Sequence, residues 1–196
     1  MCFYRDTASL PETRFRNDPL MAKYADITGW GKCMPPAVLS NDDFASVIDT
    51  SDEWIRTRSG ISERRVSHVP NSDLAAVAAK RAMAAAGVQP EEIDLLILAT
   101  TSGDNIVPST AAYVQAKTDT LKAAVFDLNA GCSGFIYVLQ TATAMIRSAG
   151  YKKVLVIGSE RLTWLINFSD RSSGVLFGDG AGAVVLEPSE EESGLL

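Results

Sequence analysis

The 196-residue chain carries 18 Lys and Arg against 24 Asp and Glu, a net charge of −6, with 46% hydrophobic residues. That balance offers no overall basic surface for phosphate, which argues against nucleic-acid and membrane partners, and no apolar run approaches the ~18 residues of a membrane span. Cys2, Cys33 and Cys132 form no C-x-x-C pair and His68 is the single histidine, so a disulfide framework and a metal site are both excluded. The start lacks a basic-then-apolar leader, and a reducing cytoplasm is the simplest compartment.

In chain order, residues 1–23 are polar, contain Pro11 and Pro19, and show no periodicity. They read as a loose N-terminal extension, or as upstream residues before a start at Met21, and one domain is expected over 24–196. A short strand over 25–28 leads through Gly29, Gly31 and the Pro35-Pro36 break into a helix over 41–48 capped by Ser40. Residues 52–66 read as loop with short helical turns. Arg56, Arg58, Arg64 and Arg65 cluster there beside Trp54, either as a seat for an anionic ligand with an aromatic ring or as a solvated surface.

A helix over 72–86 follows, capped by Asn71 or Ser72, filled with alanine and ended by Gly87. Uniformly apolar runs at 95–99, 123–128 and 154–157 then alternate with helices over 109–117 and 133–149, the last ended by Gly150. Such runs suit parallel strands buried between helical layers, which is α/β architecture. Near the end, 177–183 resembles a phosphate loop, but 184–187 continues as a strand where a dinucleotide site needs a helix. Its glycines therefore serve close packing or access to a neighbouring site.

The segment 126–135 is the most telling, because it sets Cys132 where a strand turns into a helix. Unpaired N–H groups and the positive helix end favour a thiolate nucleophile there. Gly131 and Gly134 would let the chain turn sharply and a carbonyl approach. The alternative is inert packing of a small thiol. Ser133 does not fit a serine elbow, since Phe135 stands where its second glycine belongs.

Five segments in order (49–55, 57–61, 99–102, 129–135 and 177–183) make the chain, from about Tyr24 to Leu196, resemble the β-ketoacyl-acyl carrier protein synthase III family of the thiolase superfamily. The resemblance implies a thiolase-like layered αβαβα fold with a mostly parallel sheet, of which this chain would be the first of two similar halves. It implies a homodimer that takes an acyl group from coenzyme A onto Cys132 and condenses it with malonyl-acyl carrier protein, with no cofactor beyond the thioester substrate. Trp54 and Arg171 would sandwich the adenine of coenzyme A, Arg58 would meet the nucleotide end and Thr50 would hydrogen-bond nearby. Arg56, Arg64 and Arg65 gain no ligand role, although an acidic carrier protein could dock on them.

Val107 would reach across the dimer into the partner's acyl pocket, leaving room for branched or longer primers, and Phe177 would border the acyl channel or belong to the core. The family's decarboxylating histidine and asparagine lie in the second half, so another segment or chain would have to supply them. His68, in a polar loop, does not replace that histidine. A half-fold should also expose an apolar face. The resemblance thus implies a fragment, a split gene product or one chain of a pair. Two other roles stay open: an acyl-coenzyme A-dependent acyltransferase of secondary metabolism, and a non-catalytic half-module that completes a partner chain.

Overall fold

The computed structural model describes residues 24–190. A five-stranded sheet in the order β1-β7-β6-β4-β5 forms its centre, built from β1 (Tyr24–Cys33), β4 (Leu95–Ala99), β5 (Ala124–Leu128), β6 (Val154–Arg161) and β7 (Asp179–Ser189). β4 pairs parallel with β5 and β6, whereas β7 runs antiparallel to both β6 and β1. Four of the five strands therefore share a direction and only β7 opposes them.

Alternation along the strands divides the core. Leu96, Leu98, Leu155 and Ile157 face α3 (Asn71–Ala86) and α4 (Thr110–Thr118). Leu95, Ile97, Val154 and Val156 face α5 (Gly134–Ala149) on the other side. The result is a three-layer α/β unit whose period-two side chains fill both interfaces.

Several boundaries differ from the sequence reading. β1 does not stop before Gly29 but runs through Gly29 and Gly31 to Cys33. Those glycines let α3 lie directly on the strand: a Cβ at Gly29 would come within 2.5 Å of the Ala82 carbonyl, and one at Gly31 within 2.4 Å of the Ala78 carbonyl. The 52–66 stretch is not loop but the helix α2 (Asp52–Ser59) and the strand β3 (Glu63–Val66), which pairs with β2 (Ala37–Ser40).

Neither Asn71 nor Ser72 caps α3. Pro70 stands at that position, and the Asp104 carboxylate accepts from the Asn71 and Ser72 N–H groups instead. α4 is capped the same way from a distance, by Asp127 of β5 accepting from Thr110 and Ala111. β5 is also less buried than its apolar sequence implies, because it forms the sheet edge. The expected extension over 1–23 lies outside the described residues.

A smaller module sits beside the sheet. Ser40 caps α1 (Asn41–Ala45) through a capping box with Asp43. Phe44, Ile55 and Val175 form the module's core, with Trp54 and Phe168 packed against it. Arg64 holds it together: it is 4% exposed, its guanidinium lies 4.7 Å from the Phe44 ring, and it donates to Asn41 Oδ1 and to the Val175 carbonyl. Arg64 is thus structural and closed to any docking partner. His68 is exposed in a loop, as expected. Among the described residues no helix is long and apolar enough to cross a membrane.

Candidate functional site

After β5 ends at Leu128, Gly131 adopts φ 55°, a left-handed conformation in which a side chain would be strained. A single 3₁₀ turn, Gly131–Ser133, carries Cys132, and α5 starts at Gly134. Cys132 is exposed. No side chain caps α5; the Gly134 N–H donates instead to the Gly131 carbonyl, closing the turn that carries Cys132 at the positive end of the helix. Gly134 plays a different part from the one its sequence position suggests. A Cβ there would sit 3.3 Å from Ala99 Cβ, so its bareness seats the helix on β4 rather than opening a path for substrate. Gly158 does the same for Phe135, whose ring lies 3.0 Å from where a Cβ at 158 would stand.

Cys132 opens into a cavity of about 570 Å³ whose wall includes Thr101, Phe135, Glu160, Phe177 and the backbone of Gly180 and Gly182. The glycine segment 177–183 thus provides access to the thiol, and Phe177, 37% exposed, stands on the cavity wall rather than in the core. Two carboxylates border the same space. Asp179 is 5% exposed and accepts from Ser67 N–H, Thr163 N–H and the Thr163 hydroxyl. Glu160 accepts from the Thr100–Ser102 turn. Neither emerged as a site residue from the sequence. The available signal was position, since Glu160 follows the 154–157 apolar run near the carboxyl end of a strand, where α/β sheets place their ligand sites.

The residues expected to hold coenzyme A also come together. Trp54 and Arg58 share α2, with the Arg58 guanidinium 4.4 Å from the indole centroid. Arg171 arrives from the loop before β7 and lies 4.7 Å from the same ring, donating to the Asp49 carbonyl. At that distance the guanidinium lies against the indole and leaves no room between them for a further ring. Thr50 adjoins them, and its Oγ1 is buried with no hydrogen-bond partner. Arg56 pairs with Asp52 and Arg65 with Glu63. Val107 is 84% exposed beside Ile106 at 98%, and it does not line the Cys132 cavity of its own chain. Cys33 is half-buried, and burial raises its thiol above the ordinary range. Among the described residues no group of three or more His, Cys, Asp and Glu could hold a metal ion.

Comparison with known proteins gives the same answer by sequence and by shape. Residues 126–196 match the family described as 3-oxoacyl-[acyl-carrier-protein (ACP)] synthase III. The chain is 58% identical over 172 residues to beta-ketoacyl-[acyl-carrier-protein] synthase III 2 of Vibrio vulnificus, covering 88% of this chain and 48% of that protein. The crystal structure of 3-oxoacyl-[acyl-carrier-protein] synthase III from Aquifex aeolicus superposes with a TM-score of 0.84 at 48% identity, covering 86% of this chain and 55% of that one. The chain belongs to the β-ketoacyl-acyl carrier protein synthase III family.

Its fold is accordingly thiolase-like. The chain spans about half the length of the synthase III relatives it matches. The priming β-ketosynthase of the R1128 polyketide pathway is also similar, with a TM-score of 0.84 at 36% identity, covering 87% of this chain and 52% of that one.

Proposed function

We propose that this chain is the nucleophile-bearing half of a condensing enzyme that starts fatty-acid synthesis, loading an acyl group from coenzyme A onto Cys132. One observation carries it: an exposed thiol at the uncapped N-terminus of a 16-residue helix, facing a mostly apolar cavity. The Cys132 thiolate attacks the thioester carbonyl, the bond to the coenzyme A sulfur breaks, and the acyl group stays on Sγ as a new thioester. The positive end of α5 favours the negative charge that forms beside it.

Trp54, Arg58, Arg171 and Thr50 would hold the nucleotide of coenzyme A, with Arg171 leaving the indole to admit adenine. In the second step malonyl-acyl carrier protein loses carbon dioxide and its carbanion attacks the acyl carbon, expelling Cys132. The histidine and asparagine for that step would come from a second segment or chain, in a soluble cytoplasmic homodimer. Exposed Val107 would then line the partner's acyl pocket. Its small side chain favours branched or longer primers, so isobutyryl- and hexanoyl-coenzyme A should serve as well as acetyl-coenzyme A. A strict acetyl preference in a competition assay would refute this.

The decisive experiment is the intact mass of the protein after incubation with acetyl-coenzyme A. One acetyl adduct that disappears in Cys132→Ala is the expected result. A folded protein that takes no label would instead be a non-catalytic half-module. The likeness to the R1128 priming enzyme favours a second reading, in which the same cysteine primes a polyketide or secondary-metabolite pathway. Supplying malonyl carrier proteins from each pathway together with the completing half separates the two.

A further inference from the structure

Glu160 borders the Cys132 cavity, and its position there suggests a general base. Its hydrogen bonds say otherwise. Oε1 accepts from Thr101 N–H at 2.8 Å and from the Thr101 hydroxyl at 2.9 Å. Oε2 accepts from Ser102 N–H at 3.0 Å, from the Ser102 hydroxyl, and from the Thr100 hydroxyl at 3.3 Å. A carboxylate offers about four acceptor sites, so five donors leave it no free lone pair with which to take a substrate proton.

These donors belong to three consecutive residues at the point where β4 ends. The turn is held from behind as well. Asn71 Nδ2 donates to Thr100 Oγ1 and to the carbonyls of Ser102 and Ser159, and Arg161 N–H donates to Ser102 Oγ. Asn71, Thr100, Ser102 and Ser159 are all buried, whereas the chain beyond them runs out to the exposed Ile106 and Val107. Thr101 itself stands on the wall of the cavity.

We propose that Glu160 is a positioning residue: it fixes the Thr100–Ser102 turn, and with it the acyl-cavity wall and the root of the Val107 loop, so that primer choice depends on it while the thiol's own reactivity does not. This rests on the acyl transfer proposed above. Each carboxylate oxygen takes one backbone N–H, and backbone donors cannot turn away as hydroxyls can. In Glu160→Gln, whichever way the amide is flipped, its NH₂ therefore confronts a backbone N–H.

The test compares Glu160→Gln with wild type in three readouts. Amide hydrogen exchange at residues 101 and 102 should rise about tenfold or more. The ratio of hexanoyl to acetyl transfer onto Cys132 should change about tenfold, as a displaced cavity wall would cause. Alkylation of Cys132 by iodoacetamide should stay within about twofold, because that small reagent needs no shaped wall. Ser102→Ala, which removes one hydroxyl donor to Glu160 and the acceptor of the Arg161 N–H while keeping the carboxylate, should move exchange and the acyl ratio in the same direction, and it serves if the glutamine variant does not fold. Unchanged exchange would overturn the proposal, and so would faster exchange with an unaltered acyl ratio. A parallel loss of alkylation would overturn it too, since Glu160 would then act on the sulfur. If wild-type protein takes no acyl group at all, the proposed function fails, while exchange still decides whether Glu160 holds the turn.

Discussion

Two glycines of this chain do opposite work, and one methyl group should tell them apart. At Gly31 a Cβ would fall 2.4 Å from the Ala78 carbonyl and 2.5 Å from the Ala82 N–H, both backbone atoms of α3 that cannot yield without lifting the helix off β1. Gly31→Ala should therefore cost about 3 kcal/mol, read as a lower urea midpoint. At Gly182 nothing lies within 4 Å of the added carbon, and its backbone is not left-handed. Gly182→Ala should leave the midpoint unchanged or slightly raised. Yet Gly182 lines the cavity beside Cys132, so the same substitution should slow labelling by hexanoyl-coenzyme A more than by acetyl-coenzyme A. Equal slowing for both acyl lengths would show that the cavity does not hold the acyl chain.

Among the elements that sequence reasoning missed, β2, α2 and β3, the helix carries Trp54. Its eight residues hold four charges and a polar Ser-Asp-Glu start, so hydrophobic periodicity is weak. The helix is held instead by contacts distant in sequence: Ile55 is buried against Phe44 and Val175, and Asp52 accepts from Asn41 Nδ2 at 2.7 Å. The β4, α5 and β6 regions were legible because uniformly apolar runs and a Gly150 stop announce themselves locally. Caps supplied from afar, such as Asp104 on α3, leave no local trace. Cys132 and the cluster around Trp54 were readable as candidates from their local setting, with the family resemblance supplying their roles; Arg171 was readable only through that resemblance, and Glu160 emerged from neither.

The Asp52 contacts also set a pH dependence. Arg56, then Asn41, hold the Asp52 carboxyl below its usual range. A carboxyl whose folded value lies below its unfolded value contributes stability above the unfolded value of about 3.9, and that stability is lost as pH falls through the depressed folded value. Wild-type protein should thus lose thermal stability on acidification below about pH 5. Asp43 and Asp170, held low by Ser40 and Ser173 respectively, add to the same limb. Asp52→Asn should melt lower at pH 7 and lose less between pH 7 and 3, since it has already given up that share. An identical acid slope in the two proteins would remove Asp52 from the account.

For the whole molecule, the net charge of −6 opposes any polyanion, and coenzyme A carries several phosphate charges. The Trp54 face offsets that locally, because the Arg58 and Arg171 guanidiniums both lie within 5 Å of the indole centroid, with Arg171 also 3.8 Å from the Asp49 carboxylate. At physiological ionic strength charges beyond about 8 Å are largely screened, so contact with this pair should outweigh the repulsion of the remaining surface. Raising sodium chloride from about 0.05 to 0.5 M should then weaken coenzyme A binding several-fold in wild-type protein, measured by titration calorimetry. In Arg58→Gln/Arg171→Gln only the general repulsion remains, and the same salt increase should leave binding unchanged or improve it. The direction of the salt effect, rather than the affinity alone, separates a ligand-directed pair from two surface arginines that happen to share a tryptophan. If the double variant weakens with salt as steeply as the parent, the nucleotide end binds elsewhere on this chain.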